Sequence, residues 1–436
     1  MPHASPITIH DQEPSSPILS LTTIVASVTH HRDGEHLIGE RAFRDLVEDF
    51  VFFAELWMAM LQFSDPSKLK TQKIAFEDIY QTRDSGTLEQ LKELSSKRRA
   101  IEESINESRF ITEAIAREMS GGLTSHVEQD LHKLEQYLPL LENLVYHVGL
   151  VSDNPLMVRW TSELKIRWSS ALSLSSFFFL TGPKYFRIDN LKFELGMNLF
   201  LYGAMMREWA SEVLSVDLVQ SATLFRKAAG VYHYLALDIL PHLQSSSAPE
   251  RQPEATSSVS LVMSLICLAE AQAVTIRKAE EKGNTDLLAK LHFGVGQLLG
   301  EAHVILHSST KECKDISGRF VDFVSSSKSL HELRSYKYLA ESTKASGQIG
   351  VTIGILRRAL TNGQKTMPGE ESWRSVFKQE IDEVSLLLRK YEHENNFVWR
   401  EKIPLEDELP IPEGKKIVNH IAFHPQRWER ALVFKI

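Results

Sequence analysis

The stretch that decides the fold is Leu265–Leu291, LICLAEAQAVTIRKAEEKGNTDLLAKL. Its first half is an apolar run that ends in basic residues, as the C-terminus of a helix often does. Gly283 predicts the end of that helix, and Asn284 or Thr285 predicts the cap of a second one. Leu287 and Leu291 are four residues apart and therefore share one face of the second helix. The pattern predicts a helical hairpin, and it leaves core packing and partner binding both open as roles for the two leucines.

The composition is typical of a soluble globular chain with a sizeable core. Of 436 residues, 43% are hydrophobic and 24% are charged, and the net charge of −8 argues against general nucleic-acid binding. The two cysteines, Cys267 and Cys313, exclude a disulfide framework and a multi-cysteine zinc site, and they suit a reducing compartment. No signal peptide, transmembrane segment or C-terminal prenylation motif is recognisable. We therefore expect a cytoplasmic protein.

Helical periodicity dominates the chain after a polar N-terminal tail at residues 1–17. Ile18–Val28 is rich in β-branched residues and predicts a strand, and Glu40–Phe63 predicts a buried helix. Ser125 predicts a helix cap. The helix that follows has one apolar stripe and is predicted to bend at Pro139; the stripe residues are Val127, Leu131, Leu134, Leu138, Leu141, Val145 and Val148.

Later segments read as paired helices. Phe193–Ala204 and Ala222–Leu240 alternate large and small residues, which lets neighbouring helices approach closely. A long helix is predicted over Leu330–Leu360. The expected fold is mainly all-α: an arched helical solenoid of tetratricopeptide-like helix pairs.

The C-terminal part changes character after Tyr391. Pro404, Pro410 and Pro412 predict an extended segment rather than a helix. His420–Ile436 reads as a terminal strand, which we expect to pair with the N-terminal strand as a small β element.

Partial catalytic patterns fail on their mechanics. His331–Ser335 begins like a zinc-protease helix but has a serine where the second histidine ligand belongs. Gly294–Gly300 is spaced one residue too far for a dinucleotide fingerprint, and close helix packing is the simpler role for its glycines. The histidines between His30 and His36 read as a polar loop. We expect no enzyme activity, no cofactor and no metal.

The hairpin resembles the hallmark segment of the BRO-one (BRO1) domain family, the Alix-like adaptors of the ESCRT system. The similarity lies in Leu268–Gln272, Val274, Lys278-Ala279 and Asp286–Leu291, and it extends over roughly Tyr137 to Val418. The NNFVWREKIP stretch at Asn395–Pro404 is similar to the family's segment after the last long helix, with Trp399 where relatives can carry a tyrosine. The resemblance implies one domain at 18–436, comprising a divergent helical part at 18–136, a solenoid core at 137–395 and an extended segment at 396–436.

The resemblance also implies a function. In Alix-like domains a concave apolar groove receives the amphipathic C-terminal helix of an ESCRT-III subunit. Carried over to this chain, the patch comprises Thr275, Lys278, Leu287 and Leu291, with the two leucines as exposed apolar anchors and Lys278 facing acidic residues of the partner. Thr275 departs from the family, which can carry an aromatic residue there. The expected role is that of a non-catalytic adaptor in endosomal sorting to multivesicular bodies. We expect the protein to be recruited peripherally to endosomes, in contact with the membrane surface. We expect it to bind neither nucleic acid nor a small-molecule substrate. The alternative is a helical scaffold that has lost ESCRT-III binding and serves another partner.

Overall fold

The computed structural model describes residues 60–106, 125–174, 183–243, 251–309 and 315–436. The N-terminal tail, the Ile18–Val28 strand, most of the Glu40–Phe63 helix, the His30–His36 group and Cys313 lie outside these residues.

Ten α-helices make up most of the described chain, and most pack against their neighbours in sequence. This nearest-neighbour packing is the mark of a helical solenoid and confirms the predicted all-α class. The helices are α1 Ser85–Asn106, α2 His126–Leu150, α3 Pro155–Glu163, α4 Leu191–Glu212, α5 Leu218–Tyr234, α6 Ser257–Glu280, α7 Thr285–Ser308, α8 Gly318–Ala345, α9 Ile349–Lys365 and α10 Glu371–Glu394.

The small sheet lies elsewhere than predicted. β1 (Arg167–Ser169) and β2 (Tyr185–Arg187) pair antiparallel, with Trp168 opposite Phe186. The indole of Trp168 is fully buried and donates to a carboxylate of α4, which fixes this ribbon on the helices. Among the described residues, the predicted C-terminal strand forms only an isolated bridge, between Phe434 and Thr82. The prediction that the C-terminal segment supplies a sheet strand is therefore corrected.

Helix α2 follows its predicted stripe. The Oγ of Ser125 accepts a hydrogen bond from the backbone N–H of Val127 at 3.0 Å and caps the helix. The helix runs through Pro139, and the predicted stripe residues are buried except Val145, which is half-buried. One apolar face is thus enough to place α2 against α1 and α4.

The predicted long helix over Leu330–Leu360 is wrong, because the chain breaks it into α8 and α9. Gly347 adopts φ +77 between them, a left-handed conformation that ends a helix and suits glycine. The break turns one long rod into an antiparallel pair and adds a turn to the solenoid.

Helix α6 lies in the interior between α5 and α7. It is the one helix among the described residues that is long and apolar enough to cross a membrane, and 78% of its apolar window is buried inside the protein. Cys267, on this helix, is a buried free thiol whose burial raises its pKa well above the ordinary value. A core role for α6 accounts for its composition.

A buried ion pair joins α4 to α6. The guanidinium of Arg207 donates to the carboxylate of Glu270 through Nε at 2.7 Å, and it also donates to the backbone oxygen of Phe63. Both charged side chains are at most 10% exposed, so each depends on the other for compensation of its lost hydration.

Replacing Arg207 by alanine should therefore lower the free energy of unfolding by about 3–5 kcal/mol, because Glu270 would remain buried without its partner. Urea unfolding measures the change. Arg99→Ala is the matched control, since its ion pair with Glu103 is more than half exposed on both sides and is screened by solvent, so its loss should change the stability little. Equal losses in the two variants would contradict the structural role assigned to Arg207.

The C-terminal segment, residues 400–436, runs back across the solenoid in an extended conformation, as its prolines predict. Backbone hydrogen bonds attach it to one helix or loop after another. In four of these bonds a backbone N–H of the segment donates to a backbone oxygen. Lys415 donates to Lys290 on α7, and Ile421 donates to Arg226 on α5. Trp428 donates to Pro139 on α2, and Lys435 donates to Gln81 just before α1. The segment therefore runs across the described part of the molecule, from its last helices to the start of α1.

Candidate functional site

The α6–α7 hairpin is built as its sequence predicts. α6 ends with Arg277 and Lys278 in its last turn, where positive charge suits the helix dipole. Gly283 takes φ +65 in the turn. The side-chain oxygen of Asn284 then accepts from the N–H of Leu287 at 3.0 Å, so Asn284, and not Thr285, caps α7.

One hydrogen bond sets the register of the two helices. The Nε2 of Gln272 on α6 donates to the backbone oxygen of Leu291 on α7 at 2.7 Å. Because the helices are antiparallel, Thr275 then lies at the level of Leu287 and Leu288, one turn nearer the tip. Lys278 lies one further turn toward the tip. The hairpin thus places all four predicted site residues on its last two turns.

The two α6 residues of the patch differ in availability. Thr275 is half-buried, and its hydroxyl donates to the backbone oxygen of Ala271 at 2.9 Å, so its polar atom is satisfied within its own helix. Lys278 is exposed and forms no ion pair with any described residue. Lys278 is therefore a free cation beside the tip, whereas the neighbouring Arg277 is held by Glu280 at 2.7 Å.

The two leucines also differ, and here the expectation needs correction. Leu287 is half-buried at the edge of the main core. Leu291 is 2% exposed and belongs to the core itself. Leu291 is level with Gln272 and lies one turn further from the tip than Leu287, among the residues of the main core. In this conformation Leu287 is available as an apolar anchor and Leu291 is not.

The C-terminal segment forms a wall beside the patch. The side chain of Gln272 donates from Nε2 to the backbone oxygen of Lys415 at 3.0 Å and accepts from the N–H of Ile417 at 3.0 Å. This pair of bonds resembles the way a neighbouring strand pairs with an extended chain. Gly294, one turn beyond Leu291 on the same face of α7, lies directly under Lys415. The open surface thus ends at this crossing.

Gln272 is the residue whose role the sequence did not reveal. Gln272 lies within the motif that identified the hairpin, but a glutamine at this position did not by itself predict a contact with the C-terminal segment. A fully buried glutamine in an otherwise apolar and alanine-rich helix is the available signal, because a buried amide must find partners. The glycine at 294 is the complementary signal for close backbone approach.

The sequence patterns that resembled catalytic sites are occupied by structural contacts. His331 is buried, and its Nδ1 lies 3.0 Å from the Nδ1 of His292. Burial and the nearby Arg334 lower the pKa of His331 to about 3, so this ring is neutral at physiological pH. Ser335, where a zinc protease needs its second histidine, donates to the backbone oxygen of Ala289. Gly296 packs against α8 at Glu332.

Within the described residues, no group of three or more histidine, cysteine, aspartate or glutamate side chains is arranged to hold a metal ion. What the hairpin tip offers is a half-exposed leucine, a free lysine and a wall of extended backbone. Such a surface suits recognition of a protein segment.

The sequence profile of the BRO1-like domain matches residues 93–434, most of the chain, and the chain belongs to that family. A curated relative, apoptosis-linked gene 2-interacting protein X 1 of Caenorhabditis elegans, is 23% identical over 289 residues, which cover 63% of this chain and 31% of the relative. The chain therefore spans about a third of the length of that relative.

Solved structures share the fold. The ALIX BRO1 domain in complex with CHMP4C superposes with a TM-score of 0.60 at 19% identity, covering 82% of this chain and 94% of the other. ALIX in complex with the SIVmac239 PYKEVTEDL late domain gives 0.61 at 19% identity, covering 82% and 48%. A Bro1 domain studied for endosomal targeting gives 0.55 at 17% identity, covering 80% and 90%.

Substitution of two glycines of α7 tests the contact between the C-terminal segment and the hairpin. A Cβ at Gly294 would overlap the backbone oxygen of Lys415, whereas a Cβ at Gly300 would meet only the end of Lys328 at an ordinary 3.7 Å. Gly294→Ala should therefore loosen the C-terminal segment and speed its cleavage in limited proteolysis. Gly300→Ala should leave cleavage unchanged and stabilise the helix by about 0.5–1 kcal/mol. Identical proteolysis of the two variants would contradict the contact.

Proposed function

We propose that this protein is a non-catalytic adaptor of the ESCRT system that binds the amphipathic C-terminal helix of an ESCRT-III subunit at the tip of the α6–α7 hairpin. The proposal places it in endosomal sorting to multivesicular bodies, as a protein recruited peripherally to endosomes. Family membership supports the adaptor role. The neighbour solved with CHMP4C supports the type of partner.

The observation that carries the proposal is that a half-buried leucine, Leu287, and an exposed, unpaired lysine, Lys278, both lie near the hairpin tip. An amphipathic helix needs an apolar contact for its buried face and a charged contact at its border. Leu287 supplies a half-exposed apolar surface, and Lys278 supplies an unpaired cation about one turn away. The partner helix that fits has an apolar stripe flanked by acidic residues.

The apolar contact is smaller than the resemblance implies, since Leu291 is buried and Thr275 replaces a possible aromatic residue. A large apolar anchor at the centre of an interface often contributes about 2 kcal/mol or more. We therefore expect weaker binding of the ESCRT-III helix here than in a relative that has the aromatic anchor.

The first test removes the remaining anchor. Leu287→Asp should weaken binding of the tail-helix peptide at least about tenfold, or ~1.4 kcal/mol, because a carboxylate replaces the apolar contact. The variant should fold, since residue 287 lies in the first turn of α7, where an acidic residue favours the helix. Calorimetry with purified protein measures the affinity.

Leu386→Asp is the control for that test, because Leu386 is an exposed leucine on α10, away from the hairpin. It should bind the peptide as the wild type does. If Leu287→Asp also binds like the wild type, the proposed patch is excluded.

The second test restores the missing anchor. Thr275→Phe should tighten binding of the same peptide about tenfold, because an aromatic ring would add apolar contact beside Leu287. Thr223→Phe on α5 is matched to it, since Thr223 is also half-buried and also bonds to a carbonyl of its own helix, at 2.7 Å. Tightening by both variants, or by neither, would speak against a specific contact at position 275.

The same two features, Thr275 and the buried Leu291, favour the alternative of a helical scaffold that serves a different partner. An unbiased pull-down from cells distinguishes the two. Recovery of ESCRT-III subunits supports the adaptor, and recovery of a reproducible partner without any ESCRT component supports the alternative.

A further inference from the structure

The last helix ends in an apolar turn that the hairpin site does not use. The turn is the π-helical Asn395–Trp399. Three consecutive large apolar side chains in it face solvent: Phe397 is 71% exposed, Val398 66% and Trp399 56%. Adjacent exposure of three such residues differs from the scattered exposure that is normal on protein surfaces.

The turn is held rigidly at its base. Asn395 is buried, and its side chain accepts from the N–H of Glu401 at 2.9 Å and donates to the oxygen of Glu401 at 3.0 Å. Its backbone oxygen accepts from the N–H of Arg400, which takes a left-handed φ of 54 to close the loop. The turn is therefore already formed before binding, so little conformational entropy is lost when its apolar side chains bind.

The turn is also bonded to helix α9 through Glu401, which follows it closely. The carboxylate of Glu401 accepts from the N–H of Gly350 at the start of α9, at 2.7 Å. Two helices thus fix the position of the turn, so its exposure is a property of the fold rather than of a loose end.

The charges around the turn select a partner. Arg389, Lys390, Arg400 and Lys402 are exposed, and none forms an ion pair with a described residue. Between residues 389 and 402, the three carboxylates, of Glu392, Glu394 and Glu401, are all half-buried. Glu392 is paired with Arg357 at 2.6 Å, and Glu401 accepts from the N–H of Gly350. The exposed acidic residues Glu406, Asp407 and Glu408 follow further along the segment. Between residues 389 and 402 the exposed charged side chains are therefore all basic, although the whole chain carries −8.

We propose that the Phe397–Trp399 turn inserts into the headgroup region of a bilayer that contains anionic lipid, with the surrounding basic side chains on the phosphate and carboxylate groups. Tryptophan and phenylalanine favour that region, and basic residues add electrostatic attraction to anionic lipid. The inference rests on the proposed recruitment to endosomes, because it names the contact with the membrane. It is independent of the hairpin patch.

The test is vesicle co-sedimentation with the full chain, using phosphatidylcholine vesicles with and without phosphatidylserine. The wild type should bind the phosphatidylserine vesicles more strongly, and added salt should weaken that binding. The double variant F397S/W399S should lower the bound fraction about tenfold or more, because it removes both aromatic rings from the interface.

The control is V216S/V219S, which removes two exposed apolar residues at the α4–α5 junction, 85% and 61% exposed. It should bind vesicles as the wild type does. Absence of vesicle binding by the wild type, or equal binding by F397S/W399S, would overturn the proposal and leave a protein pocket as the partner of the turn. Calorimetry with the tail-helix peptide separates the two proposals, since F397S/W399S should keep peptide binding whatever its effect on vesicles.

Discussion

The crossing of the C-terminal segment over the α6–α7 hairpin is the contact on which the surface of this protein depends. Gln272 holds the backbone of Lys415 and Ile417 through its amide, and Gly294 lets that backbone lie directly on α7. The same amide bonds to Leu291 and sets the register of the two helices. A single buried side chain thus joins hairpin to segment and determines which part of the hairpin remains open.

Similar close approaches recur along the segment. Gly230 lies under the backbone of Ile421, and Gly350 lies under that of Lys402. A side chain at either position would overlap the segment. Since the segment contacts helices from both ends of the described solenoid, it restrains a structure whose other contacts are mostly between neighbours. The extended tail is therefore an integral part of the fold.

Local signals in the sequence predicted most of the helical architecture. Asn284 and Ser125 cap helices because their side chains satisfy free N–H groups, and the α2 stripe is buried because its period matches the helix. The break at Gly347 and the position of the small sheet were missed. Both depend on tertiary packing, which decides whether a glycine ends a helix and which short segments pair.

The predicted patch remains a prediction, and its geometry depends on tertiary packing for the same reason. Spacing alone put Leu287 and Leu291 on one face, and the structure agrees. Spacing does not say which part of that face the rest of the fold covers, and Leu291 belongs to the main core whereas Leu287 lies at its edge. Thr275 and Lys278 lie beyond that crossing and so remain near the open tip.

A structure of the protein in complex with the amphipathic tail helix of an ESCRT-III subunit would show directly whether the hairpin tip binds that helix. We expect the helix to lie on the hairpin tip, with its apolar face on Leu287, an acidic residue near Lys278, and its path bounded by the C-terminal segment at Lys415. A helix bound elsewhere, with the tip left bare, would contradict this expectation.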